Sequence, residues 1–382
     1  MKPPLLFATP TFGRAAGGLG VSADRITRHL AESYEPVVLV ADPLLPSFSY
    51  EEDPRDPAGR RLVRFWWKNG SPTAAQFFAD VAAHYLKDDC AWAAAFYVGE
   101  LAFPLVQTAR LHGARSALFA RGNDIDLDLF SPSAFHVHRA LSDADAVFAV
   151  SGEMCRKIRT FARSARPVFV GNGVDVDLFR PAEGQRPPVG DRRLVLGLFG
   201  EIKGKKGLDL LLEAVDFERF ELRIVGRLHD DVARHLHGFL TYRPEVLPSV
   251  QLIPYCHEPA ALVRHYQACD AVCIPSVHDG MPNVLLEAMA SGCVCVASAV
   301  GGTKDLIDVG VNGFLFESRS VEDLIRVLAE AEAYLRSEPE GGRLRFEARR
   351  TVEERGSQER EGRLYREHLL QAPLRMGRRR PK

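Results

Sequence analysis

Residues 271–292, AVCIPSVHDGMPNVLLEAMASG, predict a strand, a loop and a helix in direct succession. The apolar run before the loop has the length and composition of a buried strand. Proline is favoured in the first turn of a helix, so we expect the helix to begin near residue 282. Asp279 then lies in the loop at the carboxyl end of the strand, and Glu287 lies on the helix about a turn and a half from its start. Because most other helix positions are apolar, an ionised carboxylate there needs partners.

The same alternation of short apolar runs and helical segments extends along all 382 residues, a length that suits two domains. Continuous apolar strands separated by helices are typical of parallel sheets covered on both faces. The segment RPAEGQRPPVGDRR (180–193) interrupts the alternation and indicates a linker. We therefore predict an α/β fold with two doubly wound Rossmann-like domains, 1–180 and 181–345, that face a central cleft. A C-terminal helix and basic tail, 346–382, are expected to pack back on the N-terminal domain.

The composition is that of a globular protein and argues against several functional classes. The formal net charge of −1 gives no support for nucleic acid as a partner. The seven cysteines lie scattered in apolar runs such as CVCVAS, which is typical of reduced core residues in a cytosolic protein. No apolar run approaches the roughly 20 residues of a membrane span, and MKPPLLFATP is too short and too rich in proline for a signal peptide. We predict a cytoplasmic location. Peripheral membrane contact through the basic C-terminal residues, and the oligomeric state, stay open.

A second strand, loop and helix are predicted in LFGEIKGKKGLDLLLEAV (198–215). Its glycines allow the backbone to approach a ligand closely. Lys203, Lys205 and Lys206 place positive charge at the carboxyl end of the strand, the edge at which parallel α/β sheets bind ligands. Arg227, in IVGRLHD, is another cation at a strand end. A solvated basic loop and a surface arginine are the alternative interpretations.

The region around Asp279 and Glu287 resembles the retaining glycosyltransferases of the GT-B group usually called family 4. Their mark is an acidic residue, seven residues and a glutamate followed by Ala-Met-Ala-x-Gly, and EAMASG with Asp279 meets this pattern. The match continues through SAVGGTKDLIDVGVNGFLF, and earlier segments fit the family in the same order, namely GNGVDVDLFRP, AVSGEMCRKI and GKKGLDLLLEAV. The resemblance implies a GT-B fold and retaining transfer of a hexose from a nucleoside-diphosphate sugar. The acceptor would be a hydroxyl of a saccharide, lipid-linked or small molecule, with no metal ion or other cofactor.

The resemblance also assigns roles to individual residues. Glu287 would bind the ribose hydroxyls of the donor, and Asp279 would contact its hexose. Lys206, with Lys205 as a further candidate, would bind the diphosphate. Backbone N–H groups at the start of the helix would bind the hexose and the diphosphate, and these belong to Gly280, Met281, Asn283 and Val284.

Two positions in this half depart from the family pattern. An arginine usually precedes the Lys-Gly pair, and this chain has Glu201 there. Two like charges about 4 Å apart cost roughly 4 kcal/mol at an effective dielectric constant of 20. We therefore expect Glu201 to turn away or to pair with a lysine, with Lys203 or Lys205 supplying the missing charge. Asp279 replaces the usual glutamate and is shorter by roughly 1.5 Å, which could shift the hexose contacts.

The N-terminal half holds weaker candidates. In TPTFGRAAGGLG, Gly18 and its neighbours open a helix that would approach the donor phosphate or the acceptor, and Arg14 could add a phosphate contact. Arg121 stands where many relatives have a histidine near the reacting sugar carbon, and a guanidinium cannot act as a base. We predict a cleft role for Arg121, with a structural ion pair as the alternative. Asn172 would line the cleft or form a turn.

Two other classes of function stay open. Sugar-nucleotide 2-epimerases share the GT-B fold and the nucleotide site, and they would consume the donor without an acceptor. A non-catalytic sugar-nucleotide-binding protein is suggested by the joint departures at Glu201, Asp279 and Arg121. It would bind the donor, or nothing, and transfer no sugar.

Overall fold

The computed structural model describes residues 2–13, 17–53, 56, 59–86, 90–183, 189–337 and 342–371. Arg14, the middle of the predicted linker and the basic C-terminal residues lie outside these ranges. The chain divides into two compact units, which are Met1–Gly171 with Glu361–Lys382, and Asn172–Arg360. The expected boundaries at 180 and 345 thus differ from those of the units. Residues just after Gly171 join the second unit because Val174 exchanges backbone hydrogen bonds with Gly356 and Gln358.

The N-terminal unit contains an eight-stranded sheet in the order β3-β4-β2-β1-β5-β6-β7-β8, parallel except for the antiparallel pair β3–β4. Its strands are β1 (Pro4–Thr9), β2 (Glu35–Asp42), β3 (Tyr50–Asp53), β4 (Arg61–Trp66), β5 (Trp92–Phe96), β6 (Arg115–Ala120), β7 (Ala146–Ala149) and β8 (Pro167–Phe169). Its helices are α1 (Gly17–Ala31), α2 (Pro72–Tyr85), α3 (Ala102–Leu111), α4 (Asn123–Asp126), α5 (Ala134–Asp143) and α6 (Gly152–Phe161).

The second unit contains a six-stranded parallel sheet in the order β11-β10-β9-β12-β13-β14. Its strands are β9 (Leu194–Ile202), β10 (Phe220–Leu228), β11 (Val250–Ile253), β12 (Ala271–Ile274), β13 (Val294–Ser298) and β14 (Phe314–Phe316). Its helices are α7 (Leu208–Ala214), α8 (Asp230–Tyr242), α9 (Pro259–Gln267), α10 (Asn283–Ala290), α11 (Thr303–Leu306), α12 (Val321–Ser337) and α13 (Arg343–Arg355).

The apolar composition of the strands explains why both sheets are buried. Every residue of β5, β12 and β13 is buried, as expected for strands covered on both faces. All seven cysteines are free thiols and five of them are buried, so they contribute to packing. No helix in the described ranges is long and apolar enough to cross a membrane.

The C-terminal helical segment is two helices, α13 and α14 (Gln358–Gln371), separated near Gly356. A side chain at Gly356 would collide with Leu286, since an added Cβ would lie 2.6 Å from its Cδ2. In the N-terminal unit, Glu361 forms a buried ion pair with Arg25 on α1, with Nε and Oε2 2.6 Å apart. Tyr365 packs its ring on Phe119 at a centroid distance of 5.0 Å. These contacts anchor α14 to the N-terminal unit.

The strand order reverses once in each sheet, and this marks where a ligand is expected. In open parallel sheets ligands bind outside the carboxyl ends of the strands at the reversal, where two loops diverge. The reversal falls between β1 and β5 in the first unit and between β9 and β12 in the second. Lys203, Lys205 and Lys206 follow β9, and Asp279 follows β12. Both candidate loops of the second unit therefore lie at the point where its strand order reverses.

Candidate active site

The reversal point of the second unit brings together Lys206 and Asp279. Lys206 ends a 3₁₀ turn that follows β9, and Asp279 lies in the loop after β12. The Lys206 Nζ donates to Asp279 Oδ2 over 2.6 Å, and both side chains are mostly buried. Burial by itself would raise the pKa of Asp279, but the charges of Lys206 and Lys205 and the N–H of Gly280 outweigh it and lower that pKa. The structure therefore holds a shielded ion pair at the predicted place.

The turn that carries Lys206 is fixed against the neighbouring loop. Gly207 has φ +69°, and a Cβ there would lie 2.1 Å from the carbonyl oxygen of Pro275. The N–H of Val277 donates to the carbonyl of Lys205 over 2.8 Å. Only glycine fits a left-handed residue under a carbonyl at this distance. The Lys-Gly pair thus sets how closely the two loops approach.

The loop that carries Asp279 is held from a second side by the segment after β13. Gly301 has φ +47°, and an added Cβ would lie 1.9 Å from the carbonyl oxygen of Asp279. The N–H of Gly302 donates to the carbonyl of Gly280 over 2.6 Å. The segment Val300–Gly302 therefore packs directly against the loop that carries Asp279.

Asn172 forms hydrogen bonds to the same loop. The sequence had left two interpretations for this residue, one that lines the cleft and one that forms a turn. Its Nδ2 donates to the carbonyl of Met281 over 2.7 Å and to Oδ1 of Asn283 over 3.0 Å. The side chain is buried. Asn172 therefore positions the residues that immediately precede α10.

Asn172→Ala is expected to destabilise the second unit by about 1–3 kcal/mol, because the buried carbonyl of Met281 loses its donor. Asn172→Asp should be more harmful, since a carboxylate would face two acceptor oxygens. Thermal unfolding of the two variants measures this order. An aspartate variant as stable as the wild type would contradict the assigned hydrogen bonds.

Helix α10 begins at Asn283, directly after Pro282 and close to the predicted start. Asn283 and Val284 occupy its first turn, where N–H groups have no carbonyl partner within the helix. Gly280 and Met281 precede it and are buried. The positive end of the helix dipole therefore points to the loop that holds the ion pair, an arrangement that favours an anion.

Glu287, on the second turn of α10, is held by a tyrosine that the sequence did not indicate. Tyr266 Oη donates to Glu287 Oε2 over 2.7 Å. The Tyr266 ring stacks on Phe199 of β9 with centroids 4.0 Å apart. Burial first, and then the Glu287 carboxylate, raise the pKa of Tyr266 well above its usual value, so the phenol stays a donor. Glu287 itself is half-buried and accessible in part to a ligand.

Glu201 pairs with Lys203, as expected, and also with His229, which the sequence did not single out. The Lys203 Nζ lies 3.2 Å from Glu201 Oε2, and His229 Nε2 lies 2.7 Å from Oε1. Burial opposes ionisation of Glu201, but hydrogen bonds from His229 and Lys203 outweigh it and lower its pKa. Arg227 is exposed and lies opposite Glu201 in the β9–β10 register.

Arg121 lies inside the N-terminal unit. Its Nη1 donates to Tyr365 Oη over 3.3 Å, and its guanidinium lies 4.9 Å from the centre of the Phe96 ring. The side chain is only 8% exposed. The guanidinium is thus enclosed between β5 and α14, in contact with a phenol and an aromatic ring, and the cleft role of Arg121 stays a prediction.

Asp124 connects two loops at the carboxyl edge of the first sheet. Its carboxylate accepts N–H bonds from Val98 at 2.9 Å, Arg121 at 3.0 Å and Gly122 at 2.7 Å. Burial raises the pKa of Asp124 to about 6, against the effect of these donors. The carboxylate thus ties the loop after β5 to the loop after β6.

Gly18 lies in the first turn of α1, at the reversal point of the first sheet. Helix α1 begins at Gly17, which has φ +73°. Gly18 is exposed. The predicted glycine-rich helix start is therefore present at the edge where a ligand of this unit is expected.

Comparison with known proteins supports the interpretation of the second unit. Residues 193–331 match the family described as Glycosyl transferases group 1. The chain is 29% identical over 245 residues to the D-inositol 3-phosphate glycosyltransferase of Kribbella flavida, which covers 60% of this chain and 57% of that protein. It is 30% identical over 241 residues to the same enzyme of Geodermatophilus obscurus, with coverage of 58% and 52%. The chain thus spans about half the length of the curated relatives it matches.

Solved structures resemble the whole chain in fold. Anabaena HepE in complex with UDP has a TM-score of 0.76 at 18% identity, covering 97% of this chain and all of that one. Sucrose-phosphate synthase from Thermosynechococcus elongatus has a TM-score of 0.75 at 17% identity, with the same coverage. The chain therefore has the GT-B fold, and residues 193–331 of its second unit are similar to the group 1 glycosyl transferases.

Proposed function

We propose that this chain is a retaining glycosyltransferase that transfers a hexose from a nucleoside-diphosphate sugar to a hydroxyl of a saccharide, lipid-linked or small-molecule acceptor. The observation that carries the proposal is the Lys206–Asp279 pair at the β9–β12 reversal, beside the start of α10. A unit that matches the group 1 family presents a cation, a carboxylate and a helix N-terminus at its ligand edge.

The diphosphate would lie between Lys206 and the first N–H groups of α10. Breaking the bond to the sugar leaves negative charge on this diphosphate, so fixed positive groups stabilise the transition state more than the ground state. Lys206 supplies a full charge, and the amides of Asn283 and Val284 supply oriented dipoles. Lys205, which precedes Lys206 in the same 3₁₀ turn, adds positive charge near the carboxyl end of β9.

Donor binding would require the Lys206–Asp279 pair to separate. In the present structure the lysine charge is cancelled by a carboxylate 2.6 Å away. A diphosphate would replace Asp279 as the partner of Lys206, and hexose hydroxyls would donate to the released carboxylate. The shorter side chain of aspartate limits how far that carboxylate follows the sugar.

Glu287 would accept hydrogen bonds from the ribose hydroxyls, while Tyr266 fixes one of its oxygens. A carboxylate with one oxygen already positioned loses less side-chain freedom when it binds a diol. The proposed contacts thus extend from the hexose, near Asp279, to the ribose, near Glu287.

The chemistry proposed for the acceptor step needs no protein nucleophile. Retention would follow if the acceptor hydroxyl attacks from the face that the diphosphate leaves, with a phosphate oxygen taking the proton. The proposal that transfer needs no metal ion stays a prediction. The two curated relatives described above are D-inositol 3-phosphate glycosyltransferases, and Anabaena HepE binds UDP and UDP-glucose in its crystal structures. Small hydroxylated acceptors and UDP-sugars are therefore the first compounds to test.

The proposal is tested by thermal shift against UDP-, GDP-, ADP- and dTDP-sugars. At least one donor should raise the unfolding temperature, and Glu287→Ala should remove that rise. Tyr266→Phe should reduce this rise in unfolding temperature in part, because Glu287 keeps its charge but loses the hydrogen bond from the Tyr266 hydroxyl. Glu213→Ala, at an exposed glutamate on α7, is the matched control and should respond like the wild type. A Glu287→Ala protein that keeps the full shift would show that the ribose contact is misplaced.

A non-catalytic binding protein is the second candidate, because Glu201 introduces an acidic group at the phosphate edge. It predicts a donor-dependent thermal shift without formation of a glycoside. An epimerase predicts loss of the donor in the absence of any acceptor. Product analysis with and without an acceptor panel separates all three.

A further inference from the structure

His229, Glu201 and Lys203 form a chain of polar contacts at the ligand edge. Glu201 lies near the end of β9, and His229 follows β10 as the residue that precedes α8. The imidazole Nε2 lies 2.7 Å from one oxygen of Glu201, and the lysine Nζ lies 3.2 Å from the other. The side chains are 36%, 35% and 47% exposed, respectively, so solvent protons reach the cluster.

The charge of this edge depends on the His229 proton. Charged groups near the ends of the neighbouring elements include Lys205, Lys206, Asp209, Arg227, Asp230, Asp231 and Asp279. Protonation of the imidazole adds one positive charge to this edge. Imidazole groups gain or lose a proton near neutral pH.

We propose that His229 takes up a proton when the diphosphate of a donor binds, and so neutralises Glu201 and leaves Lys203 available to the phosphates. This inference rests on the proposed function. The proton comes from solvent and binds the second ring nitrogen, while Nε2 keeps its hydrogen bond to Glu201. His229 is thus a positioning residue for the lysine, through a carboxylate that would otherwise hold it.

The proton uptake would follow because the negative charge of a bound diphosphate favours the protonated form of the His229 imidazole. By linkage, a ligand that favours the protonated form binds more tightly when that form is more populated. Donor affinity should therefore be higher at pH 6 than at pH 8. A nucleoside-diphosphate sugar is the right probe, because its esterified phosphates do not titrate in this range.

The experiment is calorimetric titration of the full chain with the donor found in the thermal-shift panel. Titrations at pH 7 in buffers of different ionisation enthalpy give the number of protons taken up per donor bound. The wild type should take up a measurable fraction of one proton. His229→Gln should take up none, because the amide can donate to Glu201 from the same position but cannot be protonated. This variant should bind the donor roughly tenfold more weakly at pH 6 and with the same affinity at pH 8.

Two controls make the result specific. His257 and His278 lie on the neighbouring loops after β11 and β12, and glutamine variants of both should retain the proton uptake. The double variant Glu201→Gln with His229→Gln should recover affinity relative to His229→Gln alone, since no carboxylate then opposes the diphosphate. A ligand-free unfolding temperature close to that of the wild type shows that each variant is folded.

Three outcomes would overturn the inference and leave the proposed function intact. Donor binding without proton uptake in the wild type, or uptake that persists in His229→Gln, removes His229 from this role. Loss of uptake in His278→Gln alone assigns the proton to another loop. Absence of binding by every donor, at every pH and in every variant, is a different result, because it rejects the proposed function and this inference with it.

Discussion

Lys206→Ala is expected to lower the rate constant for sugar transfer by about 100- to 1,000-fold, the usual effect of losing one preorganised group that stabilises transition-state charge. Lys206 is the cation closest to the acidic loop, with its Nζ 2.6 Å from Asp279. Its removal takes a full charge from the diphosphate and leaves Asp279 with one partner fewer. The loss should fall on kcat, measured at saturating donor and acceptor, because the charge on the leaving diphosphate grows as the bond breaks.

Lys203→Ala is the variant for comparison, because Lys203 is proposed above as a secondary phosphate contact that Glu201 holds in the absence of the donor. Its ammonium is 47% exposed and pairs with Glu201 rather than with Asp279. Its loss should change kcat by less than about tenfold, as expected for a screened charge near the surface. Equal losses in the two lysine variants would contradict the assignment of Lys206 as the principal diphosphate ligand. Lys203→Ala should keep the unfolding temperature of the wild type within a few degrees, whereas Lys206→Ala should lower it, because Asp279 stays mostly buried without its cation.

Gly301→Ala is expected to abolish the donor-dependent thermal shift and to destabilise the second unit by about 3 kcal/mol or more. Its methyl group would lie 1.9 Å from the carbonyl oxygen of Asp279. The acidic loop must then move away from the segment after β13, and Asp279 loses its place beside Lys206. The left-handed φ of +47° adds roughly 1 kcal/mol for any residue with a Cβ.

Gly310→Ala separates these two contributions. Gly310 also has a left-handed φ, +74°, but no atom lies within 4 Å of an added Cβ. This variant should lose only the roughly 1 kcal/mol of backbone strain and should keep the donor response. Unfolding temperatures with and without the donor measure both effects. Similar behaviour of the two alanine variants would show that contact with the Asp279 loop is unimportant.

The sequence predicted the strand, loop and helix around Asp279 well because the governing rules are local. A short apolar run, a loop and a proline-started helix are recognised within 22 residues, and α10 begins next to the expected position. Parallel strands align their carboxyl ends, so residues after β9 and β12 meet although they are far apart in sequence. The pairing of Lys206 with Asp279 follows from these two facts.

The partners of the candidate residues could not be predicted, because they depend on side-chain direction across distant elements. Tyr266 reaches Glu287 from α9, and His229 reaches Glu201 from the end of β10. Neither residue belongs to a recognisable motif. Arg121 occupies a position at which many relatives have a histidine near the reacting sugar carbon. Its guanidinium is nevertheless enclosed by Tyr365, which is 244 residues away in sequence. Only the packing of α14 on the first unit reveals this.

The central claim is that a nucleoside diphosphate binds at the β9–β12 reversal of the second unit. Crystals of the full chain soaked separately with UDP, GDP, ADP and dTDP test it most directly. The account predicts that at least one nucleotide appears with its phosphates within hydrogen-bond distance of Lys206 Nζ and the amides of Asn283 and Val284, and that Lys206 has left Asp279. A nucleotide bound elsewhere while the Lys206–Asp279 pair stays intact, or no nucleotide in any crystal, would contradict it.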